Sequence, residues 1–187
     1  MPGLTSSQTV GPYFHLGLIR DGQSSLVGPE TKGERIAIEG LVIDGPGVPV
    51  TDAMIEIWQA NAAGRYASIA DAREEAPRDP HFVGFGRAST DIDGVYRFRT
   101  IRPGRVPGPG NSLQAPHLAV SVFGRGLIKR LATRLYFADG EGNEVDPVLN
   151  AVPEARRETL IAKRQTDGTW WLDIVLKGDD ETVFFDL

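Results

Sequence analysis

The chain contains three histidines and no cysteine, so little side-chain metal or nucleophile chemistry is open to it. Thiolate metal sites, disulfides and cysteine nucleophiles are excluded together. Of the histidines, His15 follows the aromatic pair Tyr13 and Phe14, and His81 lies in the Pro-containing run RDPHF, so both read as loop or surface residues. His117 is different. It sits in LQAPHLAVSV, residues 113–122, whose apolar alternation implies a strand that holds the imidazole firmly and aims it inward. Side chains two apart on a strand share a face, so His-x-His would set two imidazoles around one ion. Position 119 is alanine, and one imidazole does not make a site.

Other patterns fail on their chemistry. DIDG at 91–94 lacks the ligand spacing and closing glutamate of a calcium loop, and reads as a hairpin turn. GPGVP and VPGPGNS lack the Gly-Lys-Ser/Thr ending of a phosphate-binding loop, and no serine stands in Gly-x-Ser-x-Gly. A metal site built from Tyr66, His117 and an acidic residue such as Asp91 would have no spacing rule behind it.

Positioning these residues requires a core. At 187 residues, 41% hydrophobic and 24% charged, the chain suits one domain. A net charge of -5 argues against a general phosphate-backbone binder, hence no nucleic-acid partner. The N-terminal residues lack a basic-then-apolar leader, and no apolar run approaches the roughly 18 to 20 residues of a membrane span. The expectation is a cytoplasmic protein.

Twenty-two glycines and 13 prolines favour many turns. Strand patterns occupy residues 34–44, 53–60, 116–124, 132–139, 169–177 and 181–187, with two more around Asp93-Gly94 within 85–101. These imply an all-β fold, a β-sandwich of mainly antiparallel strands with long loops at 20–33, 67–83 and 102–116. PEARRETLIAKR, residues 153–164, opens on Pro153 and Glu154 and ends in basic residues, which predicts one short helix packed by Leu160 and Ile161. The expected organisation is a single domain over 1–187 with an extended N-terminal arm of about residues 1–20.

Residues 38–66, IEGLVIDGPGVPVTDAMIEIWQANAAGRY, carry Gly40, Glu56, Gly64 and Tyr66 at set intervals with apolar residues at 38, 42, 50, 55 and 57. DIDGVYRFRTIRPG and APH follow. Over this stretch the chain resembles the intradiol ring-cleaving dioxygenases. The arm sequence TSSQTVGPYFHLGL and the closing RRETLIAKR and ETVFFDL extend the resemblance over nearly the whole chain. It implies a β-sandwich and, in catalytic chains, a non-haem Fe(III) held by two tyrosines and two histidines. Hard tyrosinate donors favour ferric iron, and displacing one lets a catechol chelate the metal.

Carried across, the first tyrosine falls on Tyr66 and the first histidine on His117. The second tyrosine position is Val106, the second histidine position is Ala119, and the family's catalytic arginine position is Gln114. The resemblance therefore implies no catalytic residue and no metal in this chain. In heteromeric members, an iron-free chain pairs with an Fe(III)-bearing partner and helps wall the partner's site. The matching substrate-binding residues here are Thr9, Gly11, Pro12 and Tyr13 of the arm, with Arg125 placed to meet a substrate carboxylate by paired hydrogen bonds. The implied activity is O2-dependent intradiol cleavage of 3,4-dihydroxybenzoate in a higher-order oligomer, with the lone chain inactive.

Overall fold

The computed structural model describes residues 6, 8–11 and 14–186, apart from the side chain of His15. Its strands are β1 Arg35–Ile43, β2 Met54–Trp58, β3 Phe85–Ser89, β4 Val95–Ile101, β5 Val106–Pro107, β6 Leu113–Gln114, β7 His117–Phe123, β8 Leu131–Phe137, β9 Ile161–Arg164, β10 Trp170–Trp171 and β11 Ile174–Val175. Two short α-helices, α1 Phe14–Leu18 and α2 Pro147–Ala151, accompany them. Among the described residues no helix is long and apolar enough to cross a membrane.

The fold is strand-rich with few helices. One path of pairing runs β11-β1-β10-β9-β8-β7-β2-β3, with β4 attached to β1 and β5 paired separately with β6. Antiparallel pairs predominate, but β1 runs parallel to β10 and β11, and β8 runs parallel to β9. The main core gathers alternate residues of both ends of this path. Ile36, Ile38 and Val42 of β1 meet Ile55 and Ile57 of β2, Leu118, Val120 and Val122 of β7, and Leu135 and Phe137 of β8. Period-2 patterning made these strands, because one face of each removes its apolar side chains from water.

Three expectations are corrected. Residues 153–164 do not form an α-helix: Glu154–Leu160 is a 3-10 helix, and Ile161–Arg164 is β9. Ile161 and Ala162 pair in parallel with Tyr136 and Phe137, while Lys163 and Arg164 pair with Trp171 and Trp170. Long-range pairing overrode a local helix signal; Leu160 still packs, fully buried. Of residues 181–187, the described ones, 181–186, make only an isolated bridge, Ala132 with Phe185. The DIDG turn is present, with Asp91 and Val95 bonded and Gly94 at φ 77°, but β3 pairs with β2 while β4 pairs with β1. It carries the chain between partners, and is not the tip of a hairpin.

The resemblance-bearing residues do structural jobs. Gly40 lies so close to β10's exit that a Cβ would sit 1.7 Å from the Leu172 carbonyl oxygen. Glu56 pairs across the strands with Arg87, whose Nη1 also donates to the Leu18 carbonyl and so ties α1 to the sheet. Arg65 is buried, and its Nη1 donates to the Ala76 carbonyl at 2.7 Å, holding the loop that follows.

Candidate functional site

His117 starts β7, and alternation there sends Leu118, Val120 and Val122 into the main core. His117 and Ala119 therefore point to the other face. As expected, the ring is held and aimed inward, 5% exposed, though what covers that face is loops and a second cluster, with Tyr136, Leu149 and Leu160, rather than the main core. Its Nδ1 donates to the Ala115 carbonyl at 2.8 Å, and the ring tilts against Tyr136 at 5.6 Å. Burial, then the Arg134 cation, lowers its pKa to about 4, so the imidazole is neutral at pH 7.

Tyr66 reaches the same region from a tight turn after β2. The Asn61 Oδ1 accepts from the N–H groups of Ala63 and Arg65 at 3.0 and 2.9 Å, and the Asn61 carbonyl accepts from Gly104 at 2.9 Å. Gly64 has φ 76°, and a Cβ there would lie 1.9 Å from the Arg105 carbonyl oxygen. Only glycine lets the two segments touch this closely. Tyr66 stacks on Trp58 at 5.8 Å and 10°, and its N–H donates to Asp71 at 2.9 Å. Asp71 is gripped by Arg73, which holds its carboxyl well below the usual range. Burial raises the Tyr66 phenol above its ordinary value, outweighing the nearby Arg134 and Arg73 cations.

Trp58, Tyr66, Asp71, Arg73, Val106 and Gln114 border an open cavity of about 710 Å³. Val106 and Gln114 face one another across β5 and β6, and Gln114 Nε2 donates to the Pro107 carbonyl at 2.8 Å. Tyr66, Val106 and Gln114 thus share one cavity, while Ala119 is the cross-strand partner of Trp58 on its border and His117 lies one row further along β7.

A ferric ion does not fit this donor set. Val106 and Ala119 offer no donor atom, which leaves only the Tyr66 oxygen and the His117 Nε2, too few to hold the ion. Asp91 does not join them. It pairs with Arg97 and bonds the N–H groups of Asp93 and Val95, at the end of β3 away from Trp58. His81 lies exposed in its loop, 3.2 Å from Glu30.

Three residues of this region carried no sequence signal of function. Arg134 on β8 donates from Nη1 to Gln114 Oε1 at 2.6 Å and to Tyr136 Oη at 3.1 Å. Tyr136 donates onward to Asp146 Oδ1 at 3.1 Å. Asp146 is fully buried and accepts from Ala115, Val148 and Leu149, capping α2 and fixing the residue beside His117. Each sits in an ordinary strand or turn pattern, so only spatial neighbours reveal it.

The described residues among those expected to meet substrate lie elsewhere. Arg125 follows the other end of β7, and that strand alone spans about 20 Å. Its side chain is 65% exposed and ion-paired with Asp52. Thr9 is beside it: the Thr9 hydroxyl accepts from Gly126 N–H at 2.9 Å. Gly11 is exposed and its carbonyl accepts from Phe14 N–H at 3.3 Å, while Pro12 and Tyr13 lie outside the described residues.

Comparison with known proteins decides the family. The profile of the Dioxygenase family matches residues 10–170. The chain is a member of the intradiol dioxygenase family. It is 39% identical over 199 aligned residues to the protocatechuate 3,4-dioxygenase alpha chain of Burkholderia cepacia, covering 98% of this chain and 97% of that one. It is 42% identical to the beta chain from the same organism, over 82% of this chain and 68% of that one. The intradiol ring-cleavage dioxygenase of Tetranychus urticae has the same fold, with a TM-score of 0.63 over 93% of this chain and 94% of that chain, at 20% identity. Membership in this intradiol family makes the protein an oxidoreductase of the dioxygenase type.

Proposed function

We propose that this chain is the iron-free alpha subunit of a protocatechuate 3,4-dioxygenase. With an Fe(III)-bearing beta chain it would convert 3,4-dihydroxybenzoate and O2 to 3-carboxy-cis,cis-muconate, in a cytoplasmic complex of several αβ units. On this reading residues 1–187 form one β-sandwich domain whose arm, about residues 1–20, helps wall the beta chain's pocket. The supporting observation is the separation of Arg125 and Thr9 from Tyr66 and His117 by the length of β7. A guanidinium at that end cannot serve this chain's own pocket. It suits a neighbour's, where it would orient a substrate carboxylate by paired hydrogen bonds while the neighbour supplies the iron chemistry.

Expression of the chain alone and with its beta partner, followed by iron content and ring-cleavage assays, tests this. Iron and activity are expected only in the complex; stoichiometric iron and turnover in the lone chain would sink the reading.

The Arg125–Asp52 ion pair favours a second reading, in which the chain is a scaffold with no contact to substrate. Arg125→Ala in the complex separates the two. A KM for 3,4-dihydroxybenzoate raised at least tenfold, with kcat changed less, is expected if Arg125 meets the carboxylate. Unchanged kinetics would leave only the scaffold.

A further inference from the structure

Trp58, Ala119 and Arg134 stand in one cross-strand row, Trp58 opposite Ala119 on β2 and β7, and Ala119 opposite Arg134 on β7 and β8. Directly opposed residues of antiparallel strands project from the same face. His117 and Tyr136 form the next row on that face. The middle of the first row carries only a methyl group, so a long side chain at 134 has room beside it.

The Arg134 head is anchored by two acceptors, Gln114 Oε1 at 2.6 Å and Tyr136 Oη at 3.1 Å. Gln114 is itself the cross-strand partner of Val106. Arg134 therefore bonds the residue at one position where this pocket departs from the family's pattern, Gln114, and stands across the strands from another, Ala119. An arginine missing from position 114 is matched by one at 134 that bonds the residue standing there.

We infer that Arg134 supplies the positive charge at the Gln114 and Ala119 side of this pocket, and that it excludes a metal cation there even where donor atoms are restored. The inference rests on reading the chain as iron-free. A guanidinium held beside a covered face needs acceptors for its N–H donors. Gln114 and Tyr136 are the acceptors, and the hydrogen-bond chain through Tyr136 ends on the buried Asp146 carboxylate. A metal cation needs deprotonated or lone-pair donors pointed at one centre, and a fixed positive charge among them repels it.

The test restores a donor pair with one small change. Ala119→His creates His-x-His on β7, and nickel(II) binding to the full chain is compared in Ala119→His and Ala119→His/Arg134→Gln by calorimetry. Nickel is expected to bind at least tenfold tighter once the guanidinium is gone. Equal affinities overturn the inference while leaving the iron-free reading intact, whereas iron in the wild-type chain overturns both. Should the histidine variants not fold, a double-mutant cycle of Arg134→Gln and Gln114→Ala in urea decides. Non-additive midpoints are expected, and additive ones would remove the guanidinium from Gln114 and overturn the inference.

Discussion

Thr9 and Gly126, 117 positions apart, are joined by a hydrogen bond of 2.9 Å from the Gly126 N–H to the threonine hydroxyl. The bond sets the arm against the loop that carries Arg125. In the proposed complex, Thr9→Val should release the arm and raise KM for 3,4-dihydroxybenzoate about fivefold, the equivalent of one ordinary hydrogen bond, with kcat nearly unchanged. Steady-state kinetics on the αβ complex check this. A fall in kcat at unchanged KM would place the bond's role outside substrate recognition.

His117 links folding to pH. Its pKa falls from 6.5 to about 4 on folding, chiefly because burial disfavours the imidazolium. Between those values the unfolded chain binds more protons than the folded one, so stability falls as the pH drops from 6.5 towards 4. The loss amounts to about 3 kcal/mol. Urea unfolding from pH 7 to pH 4 should show this slope, and His117→Gln should flatten it. A parallel pH dependence in the variant would assign the slope to other groups.

Gly64 is the pivot that brings Tyr66 to the pocket. A Cβ at a φ of 76° and 1.9 Å from the Arg105 carbonyl oxygen cannot be accommodated without separating the two segments. Gly64→Ala should cost about 2 kcal/mol or more in urea unfolding and disturb the Tyr66–Trp58 stack. Trp58 fluorescence reads the second effect. Wild-type stability and emission would show that the turn adapts freely.

The strands at 34–44, 53–60, 116–124 and 132–139 were legible because burying one face of a pleat leaves a period-2 trace in the residues themselves. β9 was not, because Pro153, Glu154 and the basic residues after Ile161 make a consistent local helix signal. Its pairing partners, Tyr136 and Trp171, are distant in sequence or hidden behind a turn. The hairpin expected at DIDG failed for a related reason. A turn's residues set its local geometry but do not say whether the next strand pairs with the last.

Arg134 was invisible for the same cause. In ATRLYFAD it falls on the alternation's polar phase, which reads as a solvated side chain, yet loops cover that face and it bonds Gln114, 20 residues away. Of the positions named by resemblance, Tyr66, Val106 and Gln114 share one cavity, whereas the contacts that hold His117, with Ala115 and Tyr136, appear only in the fold.

By itself the sequence determined which donor atoms exist: no amount of folding makes alanine or valine a ligand, so the loss at 106 and 119 needed no coordinates. Only the tertiary structure decided where the remaining charges go. It put Arg134 against Gln114 and Tyr136 and Arg125 with Thr9 at the far end of β7. Those placements depend on contacts between segments far apart along the chain. They come from burying strand faces against one another, which local residue patterns cannot record.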